Sequence, residues 1–117
     1  MRRILATLAV VGALLFSAGY ALADFDDGVA AYDRGDFATA LQEFRTLAEQ
    51  GHADAQYYFG SMHYNGMGVT KNDAEAVKWF RRAAKQGHAW SQHNIGYVYE
   101  HGIGVTKNDA DAVKWYR

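Results

Sequence analysis

Residues 51–81 read GHADAQYYFGSMHYNGMGVTKNDAEAVKWFR, and residues 87–117 read GHAWSQHNIGYVYEHGIGVTKNDADAVKWYR. The second stretch aligns with the first at an offset of 36 residues without a gap. A period between about 20 and 50 residues is typical of supersecondary units that stack on one another and share a core. The repeat therefore predicts an array of such units, and it carries more weight than any single motif in the chain.

The first half of each unit has the apolar periodicity of an amphipathic helix. Residues on this face are Ala55, Phe59, Met62 and His63 in one copy and Ser91, Ile95, Val98 and Tyr99 in the other. Gly66 and Gly102 follow, and glycine closes a helix in the left-handed conformation without a Cβ penalty. We expect the first helix of each unit to end there.

The second half of each unit predicts another helix that begins at an asparagine. Asn72 can cap the free N–H groups, and Glu75 three residues later predicts a capping box, an arrangement that Asn108 and Asp111 repeat. The expected apolar face comprises Ala76, Val77, Phe80, Ala83 and Ala84.

Gly60 and Gly96 fall inside the first helix, where glycine costs about 1 kcal/mol relative to alanine. We expect them to mark a close approach of the two helices of a unit, with the small residues Ala76 and Ala83 on the other side. Trp79 and Trp115, on the second helix, are expected to pack between repeats.

A shorter relative of the unit precedes the two copies, over residues 24–50. Gly35 and Asp36 predict a tight turn between two helices, with Asp36 as the cap of the second. The expected core residues of that helix are Phe37, Ala40, Leu41, Phe44 and Ala48.

The glycine turns and the residues after them resemble the Sel1-like repeat. The matching residues are Gly66, Met67, Gly68, Val69, Ala76, Trp79, Phe80, Ala83, Ala84, Gln86 and Gly87, and then Gly102, Ile103, Gly104, Val105, Ala112, Trp115 and Tyr116. The unit at residues 24–50, with Gly28, Ala40 and Phe44, is more similar to the related tetratricopeptide repeat. Together the resemblance covers residues 24–117.

The resemblance implies an all-α fold, a right-handed α-solenoid of helix-turn-helix repeats, and a role as a scaffold or regulator through protein contacts. Exported members of the family include regulators of exopolysaccharide synthesis and cysteine-rich proteins with described β-lactam binding or hydrolysis. The chain has no cysteine, which places it outside that cysteine-rich branch. A cell-envelope hydrolase of the β-lactam-processing type is nevertheless kept as the alternative function.

The unit at residues 87–117 stops before the Ala-Ala-x-Gln-Gly sequence that completes the unit at residues 51–86. Every repeat needs a neighbour or a polar cap over its apolar side. We therefore expect the chain to be part of a longer array; the alternative is that the last half-unit frays or binds a partner.

The N-terminal residues read as a secretory signal, because Arg2 and Arg3 precede an apolar run over residues 4–16 that is followed by Ala21, Leu22 and Ala23. We expect cleavage before Asp24, so that residues 1–23 are removed. The run is shorter than the roughly 18 residues that span a bilayer, which favours a removed signal over a retained anchor. The expected location is the bacterial periplasm or the outside of the cell, without stable membrane insertion.

Charge and histidine spacing exclude further classes of function. The net charge of −1 over 117 residues argues against a nucleic-acid partner, whose binding needs clustered Lys and Arg. The five histidines, His52, His63, His88, His93 and His101, lack the spacing of a metal site, and His63 is expected to be packed. We predict no metal, no cofactor and no catalytic residue.

The candidate partner site is a stripe on the first helices, opposite their core face. It comprises Tyr57, Ser61 and Tyr64 in one unit and Trp90, His93 and Tyr97 in the next. In helical solenoids the first helices line the concave surface, where a protein or peptide partner binds, and Tyr and Trp provide large contact area there. The alternative is that these aromatic residues pack between neighbouring first helices.

Overall fold

The computed structural model describes residues 23–116, so the predicted signal lies outside the described residues except for Ala23. Within that range the regular structure consists of six α-helices, and no strand occurs among them. The helices are α1 (Phe25–Asp33), α2 (Phe37–Glu49), α3 (Ala53–Asn65), α4 (Asp73–Lys85), α5 (Ala89–His101) and α6 (Asp109–Tyr116).

The helices pack in the order of the chain. Three hairpins, α1 with α2, α3 with α4, and α5 with α6, stack through contacts of α2 with α3 and of α4 with α5. A chain in which each unit contacts only its neighbours is a solenoid. The prediction of an all-α solenoid of helical hairpins is confirmed.

Polar side chains start the second helices as predicted. Asp36 accepts a hydrogen bond from the N–H of Thr39 (3.3 Å), and Asn72 accepts one from the N–H of Glu75 (3.0 Å). The reciprocal half of the predicted capping box is absent at Asn72. Its N–H donates to the carbonyl of His63 (2.9 Å), and the carboxylate of Glu75 instead accepts from the indole of Trp79 (3.1 Å).

The glycine turns end the first helices as predicted. Gly66 has φ 66° and Gly102 has φ 65°, both in the left-handed region, and their N–H groups return to Met62 and Val98. The second glycine of the later turn, Gly104, lies against the start of α4, where a Cβ would come within 2.6 Å of the carbonyl carbon of Asp73. Each turn thereby sets its hairpin against the preceding one.

The glycines inside the first helices do mark a close approach. A Cβ on Gly60 would lie 3.0 Å from the ring of Phe80 and 3.2 Å from the carbonyl oxygen of Ala76. A Cβ on Gly96 would lie 2.6 Å from the ring of Tyr116. The group opposite is therefore an aromatic ring, accompanied at Gly60 by the Ala76 backbone, and it is not the small side chain of Ala83.

The core of residues 23–116 contains two clusters that each cross a boundary between hairpins. The first takes residues from α1 to α4: Ala31, Ala40, Phe44, Leu47, Ala48, Ala55, Phe59, Met62 and Trp79. The second takes residues from α4 and α5: Ala76, Val77, Phe80, Ala84, Ile95 and Val98, with Trp115 packed against it. Among residues 23–116 no helix is long and apolar enough to cross a membrane.

Candidate functional site

An open groove lies between α3 and α5, the first helices of two successive repeats. Helix α3 packs on α2 and α4, and α5 packs on α4 and α6, while another face of each helix borders the groove. The groove has a volume of about 350 Å³ and is lined by Tyr57, Ser61, Tyr64, Asn65, Phe80, His93, Asn94, Tyr97 and Val98. It contains five of the six residues of the predicted partner site.

The residues that α3 contributes are partly held by packing. The ring of Tyr57 stacks on His88 with centroids 5.0 Å apart and lies 6.1 Å from the ring of Phe80, which is buried at the floor. Tyr64 is half-buried, and the Nζ of Lys71 lies 4.8 Å from its ring centroid. Both tyrosines pack against the second core cluster, so they have a fixed orientation beside the groove.

The residues that α5 contributes are more exposed. Tyr97 keeps 43% of its surface exposed and lies 4.3 Å from the ring of His101. His93 is exposed and lies 5.6 Å from the ring of Tyr116. Tyr116 donates a hydrogen bond to Glu100 (2.7 Å), which raises the pKa of Tyr116 to about 12. This wall of the groove presents aromatic surface to solvent.

Two amides in the groove were not predicted from the sequence. Asn65 and Asn94 both line it, and neither side chain has a hydrogen-bond partner within residues 23–116. Each amide can donate and accept, which is what the main chain of an extended peptide requires. No Asp, Glu, Lys or Arg lines the groove, so it suits an uncharged segment.

The sequence differences between the two repeats could have pointed to these amides, because Asn65 and Asn94 both lie at positions that differ between the repeats. Ten of the thirteen positions of α3 differ from the aligned positions of α5, whereas two of nine differ between residues 73–81 and 109–117. The positions of Tyr57, Tyr58, Ser61, Tyr64 and Asn65 are all among those that differ. The second helices preserve the scaffold, and the first helices carry the variation.

Trp90 lies outside this groove. It is in the first turn of α5, is 69% exposed, and borders a second cavity of about 400 Å³ together with Phe25, Asp54, Tyr57, Tyr58 and His88. Tyr57 lines both spaces and separates them. The predicted stripe is thus divided between two neighbouring sites.

Three of the five histidines, His52, His63 and His88, occupy structural positions. The Nδ1 atoms of His52 and His88 accept hydrogen bonds from the N–H groups of Ala55 (3.1 Å) and Ser91 (3.2 Å), so each histidine caps a first helix. His63 is buried, as expected, and its Nδ1 lies 2.9 Å from the carbonyl oxygen of Phe59. Residues 23–116 contain no group of three or more His, Asp or Glu side chains suited to holding a metal ion.

Comparisons with known proteins agree with this architecture. The family model described as Sel1 repeat matches residues 53–88 and 91–117. The chain belongs to the Sel1-repeat family. Proteins of this family are generally non-enzymatic scaffolds for interactions with other proteins.

Solved Sel1-repeat structures are similar to this chain over most of its length. A Sel1 repeat protein from Oxalobacter formigenes is 35% identical, with a TM-score of 0.66 over 68% of this chain and 60% of that protein. A protective antigen of uropathogenic Escherichia coli with an SLR fold, c5321, is also 35% identical, with a TM-score of 0.71 over 86% of this chain and 21% of that protein.

The cysteine-rich protein B of Helicobacter pylori is 25% identical, with a TM-score of 0.63 over 65% of this chain and 57% of that protein. The chain therefore spans less than two thirds of each of these Sel1-repeat proteins. The comparison with curated protein sequences gives no match.

Proposed function

We propose that this Sel1-repeat chain is an exported scaffold of the cell envelope that holds a partner protein by an extended, uncharged segment in the groove between α3 and α5. The observation that carries the proposal is the groove itself, in which five residues chosen from the sequence pattern converge. Its aromatic walls supply contact area, and the amides of Asn65 and Asn94 supply hydrogen bonds to a peptide main chain.

The divergence of the two first helices supports the same proposal. Second helices that occupy equivalent packing positions can keep the same side chains, as α4 and α6 largely do, whereas a binding face needs side chains that differ along its length to recognise one segment in one register. Of the ten positions that differ between α3 and α5, four are buried in α3 and belong to its core face. Four others line the groove, and these carry the argument: Tyr57, Ser61, Tyr64 and Asn65.

Affinity capture from an envelope extract tests the groove. The purified chain is immobilised, and captured proteins are identified by mass spectrometry for the parent chain and for Tyr97→Ala. Val113→Ala, which truncates another exposed apolar side chain on α6, is the matched control. We expect one or more proteins to be captured by the parent and the control and lost with Tyr97→Ala, while circular dichroism stays unchanged. Capture that Tyr97→Ala does not weaken would exclude the groove as the binding site.

The proposed export rests on the sequence before Asp24, where Arg2 and Arg3, the apolar run over residues 4–16, and Ala21 and Ala23 have the order of a secretory signal. Fusion of alkaline phosphatase to the C-terminus tests it, because that enzyme forms its disulfides only outside the cytoplasm. The full chain should give active phosphatase, and deletion of residues 1–23 should abolish the activity. Activity that survives the deletion would contradict the proposal.

No observation favours the hydrolase alternative. Ser61 and His93 line the same groove, but no hydrogen bond joins their side chains, so the pair lacks the contact that activates a serine nucleophile. A nitrocefin assay on the purified chain checks this alternative directly.

A further inference from the structure

The second cavity is formed where three first helices begin. Phe25 comes from the start of α1, Asp54, Tyr57 and Tyr58 come from the first turns of α3, and His88 and Trp90 come from the start of α5. Its volume of about 400 Å³ lies within the range of small-ligand sites. The groove proposed for the partner segment lies on the other side of Tyr57.

Aromatic rings form most of the cavity wall. Tyr58 meets Phe25 at an interplanar angle of 67° and Tyr57 at 80°, so these three rings form corners and do not stack on one another. Trp90 is 69% exposed and has no ring partner among residues 23–116. The negative faces of aromatic rings attract cations, most strongly that of tryptophan.

The cavity carries a negative charge, which favours a cationic ligand. Asp54 is the only Asp, Glu, Lys or Arg among its lining residues, and its side chain is 58% exposed. Asp54 also offsets the positive partial charge at the start of α3, where His52 already satisfies the N–H of Ala55. An anionic ligand would be repelled by the Asp54 carboxylate, and no Lys or Arg among the lining residues would attract it.

His88 does not neutralise Asp54 while it caps α5. Its Nδ1 accepts the hydrogen bond from the N–H of Ser91, so the single proton of the neutral ring lies on Nε2 and faces Asp54 Oδ1 at 2.9 Å. The carboxylate is oriented by this contact and keeps its charge. Burial raises the pKa of Tyr58, and Tyr57, Asp33, Tyr32 and Asp54 add to that shift, with Asp54 contributing least of these.

We propose that the second cavity binds a small organic cation with an alkylated ammonium head, as in choline. The alkyl groups on the nitrogen can fill a corner between aromatic rings. They also make the cation less strongly hydrated than an unalkylated ammonium, so entering the cavity costs less dehydration. Trp90 supplies the open ring face, and Asp54 supplies the counter-charge. Tyr57, which stacks on His88, lines the cavity beside them. The site is separate from the groove and does not depend on the partner segment.

Titration followed by NMR of the ¹⁵N-labelled chain tests the proposal. The indole N–H of Trp90 should shift saturably with choline and with tetramethylammonium. The matched neutral ligand is 3,3-dimethylbutan-1-ol, which has the shape of choline without its charge, and we expect it to bind at least about tenfold more weakly. Equal binding of the alcohol would show an apolar cavity only and overturn the proposal. So would tighter binding of a guanidinium compound, or capture of the chain by phosphatidylcholine vesicles without binding of free choline.

Variants of the chain locate the site. Asp54→Asn removes the charge and keeps an oxygen that accepts from His88, and Trp90→Ala removes the most exposed ring; each should weaken choline binding at least about fivefold. Trp90→Phe should retain part of the affinity. Asp109→Asn, which removes a carboxylate from the first turn of α6, is the control and should bind choline as the parent does. Unchanged binding by Asp54→Asn and Trp90→Ala would overturn the assignment, and because both side chains are exposed these variants are expected to fold.

Discussion

Asp54 and Trp90 hold the same position in two successive repeats, 36 residues apart, and line one cavity from opposite helices. The aligned histidines, His52 and His88, both cap their helices, and the aligned glycines, Gly60 and Gly96, both face an aromatic ring. The repeat therefore keeps the residues that cap the first helices and allow the close approach, and it changes the pair that faces the cavity. Buried residues change as well, since Phe59 and Met62 align with Ile95 and Val98. This division separates predictions about stability from predictions about binding.

The glycines inside the first helices should respond differently to substitution by alanine. At Gly60 the added Cβ meets Phe80, which is 2% exposed and cannot turn away, together with the backbone of Ala76. Overpacking usually costs about 1–3 kcal/mol, and the gain in helix propensity returns about 1 kcal/mol, so we expect Gly60→Ala to lower the free energy of unfolding by up to about 2 kcal/mol. Urea unfolding followed by circular dichroism measures it.

At Gly96 the ring that would clash is that of Tyr116, which is 43% exposed and can move towards solvent. We expect Gly96→Ala to be nearly neutral, because the gain in helix propensity of about 1 kcal/mol offsets the displacement of the ring. Gly96→Leu should still lower the thermal midpoint, whereas Ala89→Leu, at an exposed position of the same helix, should not. A midpoint for Gly96→Leu equal to that of the parent would contradict the packing explanation.

His88 should contribute to stability chiefly as the cap of α5. His88→Ala removes the acceptor for the N–H of Ser91 and should cost about 1 kcal/mol of unfolding free energy, whereas asparagine provides a capping oxygen. We therefore expect His88→Asn to be more stable than His88→Ala by most of that amount. Equal stability of the two variants in urea would show that the ring contact with Tyr57, and not the cap, is what matters.

The hydrogen bond from Tyr116 to Glu100 predicts a change of stability at high pH. The bond raises the pKa of Tyr116 to about 12, compared with about 10 for tyrosine in an unfolded chain. Because the folded chain keeps this proton when the unfolded chain has lost it, the contribution is complete below pH about 10 and is lost as the pH rises towards about 12. Urea unfolding at intervals across this window should show a fall in stability that is smaller in Tyr116→Phe.

Glu100→Gln is the companion variant, since it removes the charge that holds the tyrosine proton. The difference between ultraviolet titrations of each chain and its Tyr116→Phe derivative isolates this one phenol. The pKa of Tyr116 should fall towards 10 in Glu100→Gln, and an unchanged value would exclude Glu100 as the cause of the shift.

The fold was predictable from the sequence because the same helical pattern occurs in two aligned copies, residues 51–81 and 87–117. Asn72, Gly66 and the apolar faces act locally, within a turn or two of helix, so their roles follow from spacing alone. The full capping box that the sequence predicts is only half formed, because the N–H of Asn72 donates to the carbonyl of His63, a contact that spacing does not reveal.

The candidate site was harder to predict because it forms between units. Helical periodicity placed Tyr57 and Tyr97 on the face that borders the groove, but it does not show where along the helices one space ends and the next begins, and so it grouped Trp90 with them. The capping roles of His52 and His88 were also missed, since histidine is not among the preferred cap residues. The distance between neighbouring helices decides these features, and only the structure supplies it.

Ser61→Tyr separates binding in the groove from stability. Ser61 lines the groove from α3, and the aligned position of α5 holds Tyr97, so the repeat itself accommodates tyrosine there. The added ring should occupy the space proposed for the partner segment and reduce capture at least about tenfold, as removal of a central contact does, while the thermal midpoint stays within a few degrees of the parent. Choline binding in the second cavity should be unaffected, since Ser61 does not line it. If capture persists in Ser61→Tyr while the chain remains folded, the partner binds elsewhere on the solenoid.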